Sequence, residues 1–402
     1  MTGHSHAAPE PASQWTRHLI VGILIPLIVA TLAALITLWP GDVPKQPLGD
    51  DQERSYGQVS RVVEEECTEN DPATGDTPPG KRRCGSATVD IKEGSGRGTT
   101  VTVELPQGPG APTVHSGDKV ILVHLSDAPE GSPEYTVVDH QRGNPLIWLV
   151  ALAAIAIIAF GRWRGLSALA GLALSFALLL LFVVPAILIG EPPLLVAVVG
   201  ASAIMFAVLY LTHGVNVQTS VAILGTLASL ILTGLLGAAF TAFTELTGIG
   251  DDQSAFLSTF NSSVDMRGLL LAGIIIGSLG VLDDVTVTQA ATVNELARSP
   301  LSRMQLYRSA TRIGRAHVAS AVNTIVLAYA GASLPLLLLI TAGNQPLGQL
   351  LTSQTIAQEI VRAAVGTIGL VASVPITTAL AVLVADRRGI EVDDSSMRDG
   401  AY

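Results

Sequence analysis

Charge is scarce in this chain. Asp, Glu, Lys and Arg make up only 14% of its 402 residues. A soluble domain of that length carries far more, so a wholly soluble protein is excluded. Cysteine is nearly absent, with Cys67 and Cys84 the only two. Without suitably spaced histidines they make a poor zinc set. His4, His6 and His18 read as a polar tail, and no metal or cofactor is expected. No P-loop and no nucleophile motif occurs, so the chain is not expected to be an enzyme. The net charge of −10 is spread over tail, loops and one polar segment. Basic residues cluster only in short loops, and nucleic acid is not an expected partner.

Apolar sequence dominates instead. Runs at 19–39, 146–160, 166–189, 194–211, 217–246, 269–282, 318–341 and 363–384 approach or exceed the length that crosses about 30 Å of hydrocarbon. They predict an α-helical polytopic membrane protein of about eight transmembrane helices. The first run reads as an uncleaved anchor, because its apolar stretch is long for a signal peptide.

Lys and Arg in short loops set orientation. Arg162 and Arg164, the group Arg298, Arg303, Arg308, Arg312 and Arg315, and the pair Arg387 and Arg388 fall on one side if both termini are cytoplasmic. The opposite short loops hold only Arg267 and Arg362. The expected localisation is a bacterial plasma membrane. The expected organisation is a tail (1–18), helix 1 (19–39), an extracytoplasmic domain (41–145), a seven-helix core (146–385) and a second tail (386–402).

The outer domain alternates apolar and polar residues. Val59, Arg61 and Val63 do so, then Ala87, Val89 and Ile91, then Val101, Val103 and Leu105, then Val120, Leu122 and His124, then Tyr135 and Val137. That period marks half-buried strands. Five short strands predict a small all-β barrel or sandwich, OB-like in size. Outside the membrane, a Cys67–Cys84 disulfide is the natural reading. Such a loop stabilises a domain by roughly 3 kcal/mol in the chain-entropy model.

The polar content of the core lies in spans five to eight. Gly273, Gly277 and Gly280 form a small-residue face suited to close helix packing. Asp283 and Asp284 follow at the end of that apolar run. Ionised groups there need a partner, a cap or a function. Asp284 suits the cap of a helix from Val285 to Arg298, which leaves Asp283 without a structural role. Ser299-Pro300 predicts another helix start. Beyond it Leu306, Ala310 and Ile313 share one face, and Arg308, Arg312 and Arg315 the other. That basic face suits the anionic inner leaflet, or is simply solvated. Asn323 bonds across helices or lines a path. Glu359 and Arg362 sit at ion-pair spacing. Pro375 kinks or breaks span eight. Gly248-Ile-Gly-Asp251 matches a protease-like GxGD, but Asp251 and Asp283 fall on opposite membrane faces, too far apart to share a proton.

Four blocks resemble the YibE/F family of bacterial membrane proteins. They are Gly277-Ser-Leu-Gly-Val-Leu-Asp-Asp-Val-Thr-Val-Thr-Gln-Ala290, Ile313-Gly-Arg-Ala-His317, Asn323-Thr-Ile-Val-Leu-Ala-Tyr-Ala-Gly331, and Glu359-Ile-Val-Arg362 continuing through Gly366, Gly369 and Pro375-Ile-Thr377. The resemblance implies one outer domain and a polytopic core in a single chain. It implies no established activity. Residues 64–81 and the cysteine pair depart from the family's pattern.

The functional expectation is a permease with a polar path among helices five to eight. Its candidate groups are Asp283, Asp284, Gln289, Asn294, Glu295, Asn323, Thr324, Glu359, Arg362 and Thr377. The alternative is a non-transporting scaffold or sensor working through the outer domain. Expected partners are inner-leaflet lipid at Arg308, Arg312 and Arg315, a small solute or ion, and a second copy of the chain.

Overall fold

A computed structural model describes residues 14–41, 54–65, 84–107, 110–124, 134–343 and 346–385. His4, His6, Cys67, Arg387 and Arg388 lie outside them, and with Cys67 so does the expected disulfide. The chain divides into two units, one of Met1–Pro44 with Gly161–Tyr402 and one of Lys45–Phe160.

The smaller unit holds five strands: β1 (Arg54–Glu65), β2 (Cys84–Glu93), β3 (Thr100–Glu104), β4 (Lys119–His124) and β5 (Tyr135–His140). They form one antiparallel sheet in the order β3-β2-β1-β4-β5. Val59, Ala87, Val89, Ile91, Val103, Val120, Leu122 and Val137 fill its core. Gly57 in β1 is required by packing, since a Cβ there would fall 2.5 Å from Val89 Cγ1. The expected alternation holds in β1 only up to Val59. A register shift between Val59 and Arg61 inserts an extra residue and turns the rest of the strand over. Val62 therefore packs on the core, while Val63 is 43% exposed, against expectation. Val89→Asp should open the sheet of the full-length protein to limited proteolysis, whereas Val63→Asp should leave the cleavage pattern unchanged.

The helices are α1 (Gln14–Thr37), α2 (Gly143–Leu178), α3 (Val184–Leu188), α4 (Pro193–His213), α5 (Val217–Phe243), α6 (Asp252–Phe260), α7 (Met266–Leu296), α8 (Arg303–Ala332), α9 (Leu334–Ala342), α10 (Leu347–Leu351) and α11 (Gln354–Val384). Among the described residues, six stretches are long and apolar enough to cross a membrane: His18–Thr37, Gly143–Leu188, Pro193–His213, Val217–Phe243, Met266–Leu296 and Gln354–Val384. The chain is thus mostly helical, with several membrane-length helices and a small antiparallel sheet near its N-terminus.

The count differs from the eight expected for two local reasons. Expected spans two and three fall in one helical stretch, Gly143–Leu188, whose backbone leaves helical geometry at Arg162 (φ 50°, ψ −127°). A π-helical turn over Leu179–Val183 then joins α2 to α3. Expected span seven is divided between α8 and α9 at Ser333. The first half of α8 carries Arg303, Arg308, Arg312 and Arg315, which dilutes its hydropathy.

Three further expectations are corrected. No helix starts at Val285, because α7 runs unbroken for 31 residues from its cap Asp265 to Leu296. Asp284 is therefore mid-helix and caps nothing. Nothing between Leu282 and Arg298 breaks an i→i−4 ladder, so the helix simply continues. Likewise Ser299-Pro300 starts no helix. Ser302 caps α8, in a reciprocal capping box with Gln305. Finally, the buried face of α8 is Leu306, Ala310, Gly314 and Val318. Ile313 is 47% exposed. Strict spacing by four drifts round the helix and leaves Ile313 off the contact line. Pro375 is tolerated inside α11, which runs through it without ending.

Candidate functional site: the polar seam between α5, α7 and α11

The centre of the larger unit is built by α5, α7 and α11, which pack on one another more extensively than any other helices. Lipid tails are as apolar as leucine, so this association needs close van der Waals approach and hydrogen bonds. Both are present. Gly225 of α5 lies directly against the Thr377 hydroxyl of α11, and Gly369 of α11 against the Thr233 hydroxyl of α5. Ser229 and Ser373 lie midway between these contacts, each fully buried. Four residues down α5 thus correspond to four residues up α11, and the two helices run antiparallel.

Hydroxyls on this seam are fully buried. Those of Thr226, Ser229 and Thr233 donate to the carbonyls of Ala222, Gly225 and Ser229. The Thr226 hydroxyl also meets that of Thr286 on α7 at 2.6 Å, and Thr286 in turn donates to the Asp283 carbonyl. Lower on α7, the Gln289 side chain is 3% exposed. Its amide nitrogen donates to the Ala310 carbonyl of α8 at 3.0 Å and to the Thr378 hydroxyl of α11 at 2.7 Å. One residue therefore ties three helices together. Gly314 makes room for it, since a Cβ there would fall 2.5 Å from Gln289 Oε1.

The sequence candidates divide around this seam. Gln289 and Thr377 are in it. Asp283 borders it, half-buried, with Oδ1 accepting the Asp284 amide at 2.7 Å. Asp284 points outward, 3.9 Å from His317 of α8. Asn294 reaches Gln218 at 3.4 Å, and Glu295 pairs with Arg298 at the surface. Asn323 and Thr324 are exposed, and Thr324 bonds back to the Ser320 carbonyl. Glu359 and Arg362 do form their ion pair, at 2.9 Å. It lies about 22 Å from Thr377 at 1.5 Å rise per residue.

The helix-packing candidates make no tight contact within a single chain. Gly273 and Gly280 have open space where a Cβ would go, and Gly277 meets only the Tyr329 hydroxyl at 3.5 Å. The GxxxG face of α7 is exposed in this chain. The close contacts lie at Gly225, Gly314 and Gly369 instead. Thr286, Gln358 and Gly314 are site residues that the sequence pattern alone does not point to. For Gly225 a signal existed: Gly225, Ser229, Thr233 and Gly237 repeat every four residues along α5. Asp251 of the GxGD motif caps α6 by a capping box with Ser254, a sufficient structural role.

A family model described as YibE/F-like protein matches residues 149–387. The chain belongs to that family. No curated protein and no solved structure matches it. The YibE/F-like match contains every seam residue and stops short of the β-sheet. The resemblance of the Gly277–Ala290 block therefore rests on the same stretch that supplies Thr286 and Gln289.

Two outcomes follow for this YibE/F-like core. Gln289→Leu removes two interhelical hydrogen bonds and should cost about 1–3 kcal/mol, measured by unfolding in detergent. Gly369→Leu should destabilise by about 1–3 kcal/mol through overpacking, while Gly273→Leu should stay within about 0.5 kcal/mol of the parent.

Proposed function

We propose that this YibE/F-like protein is a permease of the bacterial plasma membrane that moves a small solute or ion along the polar seam among α5, α7, α8 and α11. The observation that carries the reading is the run of buried polar side chains from Thr233 through Thr226, Thr286 and Gln289, bordered by the half-buried Asp283. Polar groups inside membrane helices are costly and mark solute or ion paths. Most of these groups are hydrogen-bonded at rest, so a moving solute exchanges its own bonds for theirs. The protein performs no covalent chemistry in this reading and needs no cofactor.

The same reading has eight crossings with both termini cytoplasmic. Gly143–Leu188 has 46 residues, about 69 Å of helix and more than twice the hydrocarbon thickness. With α8 and α9 counted as one further crossing, the total reaches eight. Arg308, Arg312 and Arg315, which line a groove with Tyr307, Ser309 and Thr311, then face anionic inner-leaflet lipid. Lipid-exposed GxxxG faces on α7 suit a second copy of the chain.

A second reading is a non-transporting sensor or scaffold working through the β unit. It is favoured by that unit's own buried core and by the approach of β3 to β5, which curls the sheet toward an OB-like barrel. Fold alone assigns no ligand.

Flux of an ion and solute panel into liposomes holding the full-length chain separates the two. Permease function predicts that Asp283→Asn lowers flux about tenfold or more while the melting temperature holds, a loss of at least about 1.4 kcal/mol in transition-state terms. Unchanged flux in that variant would overturn it. Loss of cellular function on deleting residues 55–140, with Asp283→Asn silent, would favour the sensor.

A further inference from the structure

Three polar side chains at the end of the bundle where α11 begins have hydrogens without acceptors. Among the described residues, five buried side-chain atoms find no hydrogen-bond partner: the Thr311 and Thr377 hydroxyls, which lie apart from one another, and the Thr241 hydroxyl, the Gln358 amide nitrogen and the Arg362 Nε, which share this end. Thr241 is 0% exposed and Gln358 6%. Arg362 is partly buried, and its Nη1 is already engaged by Glu359.

The helix register brings these groups to one level. Thr233 lies against Gly369, so two further steps of four along the antiparallel pair set Thr241 level with Val361. Gln358 and Arg362 flank Val361 on α11. The surroundings are apolar, with Leu246, Leu270, Leu271, Ile274, Val361 and Val365 forming one buried cluster. Low local dielectric strengthens any charge-assisted bond made there.

Ordinary packing does not explain the set. Thr226, Ser229 and Thr233 on the same helix face all bond back to the preceding turn, but Thr241 does not. Gly250 abuts the Gln358 amide, and a Cβ there would fall 2.6 Å from its Oε1, so the adjoining loop is trimmed around this side chain. Thr247 and Gly250 of that loop take hydrogen bonds from Gln354 and Thr355 of α11. Arg267, the other guanidinium near this end, is held by the Leu246 carbonyl at 3.0 Å.

We propose that Thr241, Gln358 and Arg362 form a binding site for a small oxyanion at this end of the α5–α7–α11 core. The chemistry is specific. All three groups donate, and an oxyanion offers acceptors only. A water molecule brings as many donors as acceptors and leaves its own hydrogens to be placed. The guanidinium supplies the positive charge and its planar Nε–H edge, while the hydroxyl and amide supply neutral donors. Glu359 neutralises part of the guanidinium charge, which favours an exchangeable ligand over a permanent one. The site deepens the permease reading by naming a ligand class, but its test is equilibrium binding, which stands or fails without any flux.

The test is thermal unfolding of the full-length chain in detergent micelles. Sodium sulfate, phosphate and nitrate are titrated against chloride at constant ionic strength, since a ligand of the native state raises the melting temperature saturably. At least one oxyanion should stabilise where chloride does not. Thr241→Val, Gln358→Leu and Arg362→Lys should each weaken its apparent affinity by about tenfold. Arg362→Lys keeps the charge and removes the Nε–H edge. If it fails to fold, the near-isosteric Thr241→Val carries the test. The inference is overturned if no oxyanion exceeds chloride, or if saturation is unchanged in the folded variants. A rise in melting temperature of Thr241→Val and Gln358→Leu with no anion response would mean these donors simply go unpaired, and would also overturn it. Micelles doped with phosphatidic acid distinguish the source. Stabilisation by that lipid alone assigns the three donors to a headgroup phosphate, and stabilisation by inorganic phosphate or sulfate assigns them to a free ion.

Discussion

The close approach of α5 to α11 is the constraint on which the membrane unit depends. In lipid there is no hydrophobic gain from joining two apolar helices, so packing distance and hydrogen bonds decide association. Gly225 and Gly369 each give up a side chain, and in each case a threonine hydroxyl of the other helix occupies the space. The exchange is reciprocal. It fixes both the separation and the register of the pair, because a shift of one residue would drive Thr377 or Thr233 into a bulkier neighbour. The buried positions of Ser229 and Ser373 follow from that register, as does the level of Thr241 with Val361.

The third helix depends on the first two. Thr226 is turned toward α7 because the neighbouring face of α5 is committed to α11, and it meets Thr286 there. Less than one turn on, Gln289 spans to α8 and α11 at once. These bonds explain how α7 continues as helix past two aspartates. The buried polar side chains of α7 below Asp283, Thr286 and Gln289, both have partners. Asp283 sits where the apolar half of α7 meets this satisfied half, about 26 Å from the start of the helix at 1.5 Å per residue. Capping does not account for a carboxylate at that boundary, and the proposed permease reading assigns it a role. The donors at the opposite end of the core differ in kind. They include a guanidinium and an amide without acceptors, whereas in the seam only the Thr377 hydroxyl, pressed against Gly225, goes unpaired.

The β unit follows other physics. Its strands close one apolar face into a core of their own, the kind of burial that drives folding of a sheet, and that core shares no residue with the helical clusters. The family match leaves it out, so membership of the YibE/F-like family attaches to the helical core.

Much of this architecture was legible in sequence because its causes are local. Apolar runs of membrane length, alternation in the outer segment and the i, i+3 pair Glu359–Arg362 are all set by neighbours along the chain and by the surrounding solvent. Gln289 and Thr377 stand out in the sequence as polar groups in apolar helices, and the structure places both in the seam. What sequence could not decide was partnership. The GxxxG of α7 is the stronger motif on paper, yet it faces outward, because a small face packs only where another helix presents a complementary one. The extra residue near Ser60 that turns Val63 outward, the bend at Arg162 and the unbroken course of α7 were equally hidden. Each depends on contacts between residues far apart in the chain. Sequence by itself determined which segments are helix or strand and which polar residues are costly. Only the tertiary structure decided which of those residues meet, because a glycine notch and a hydroxyl become a contact only when two helices are set in register.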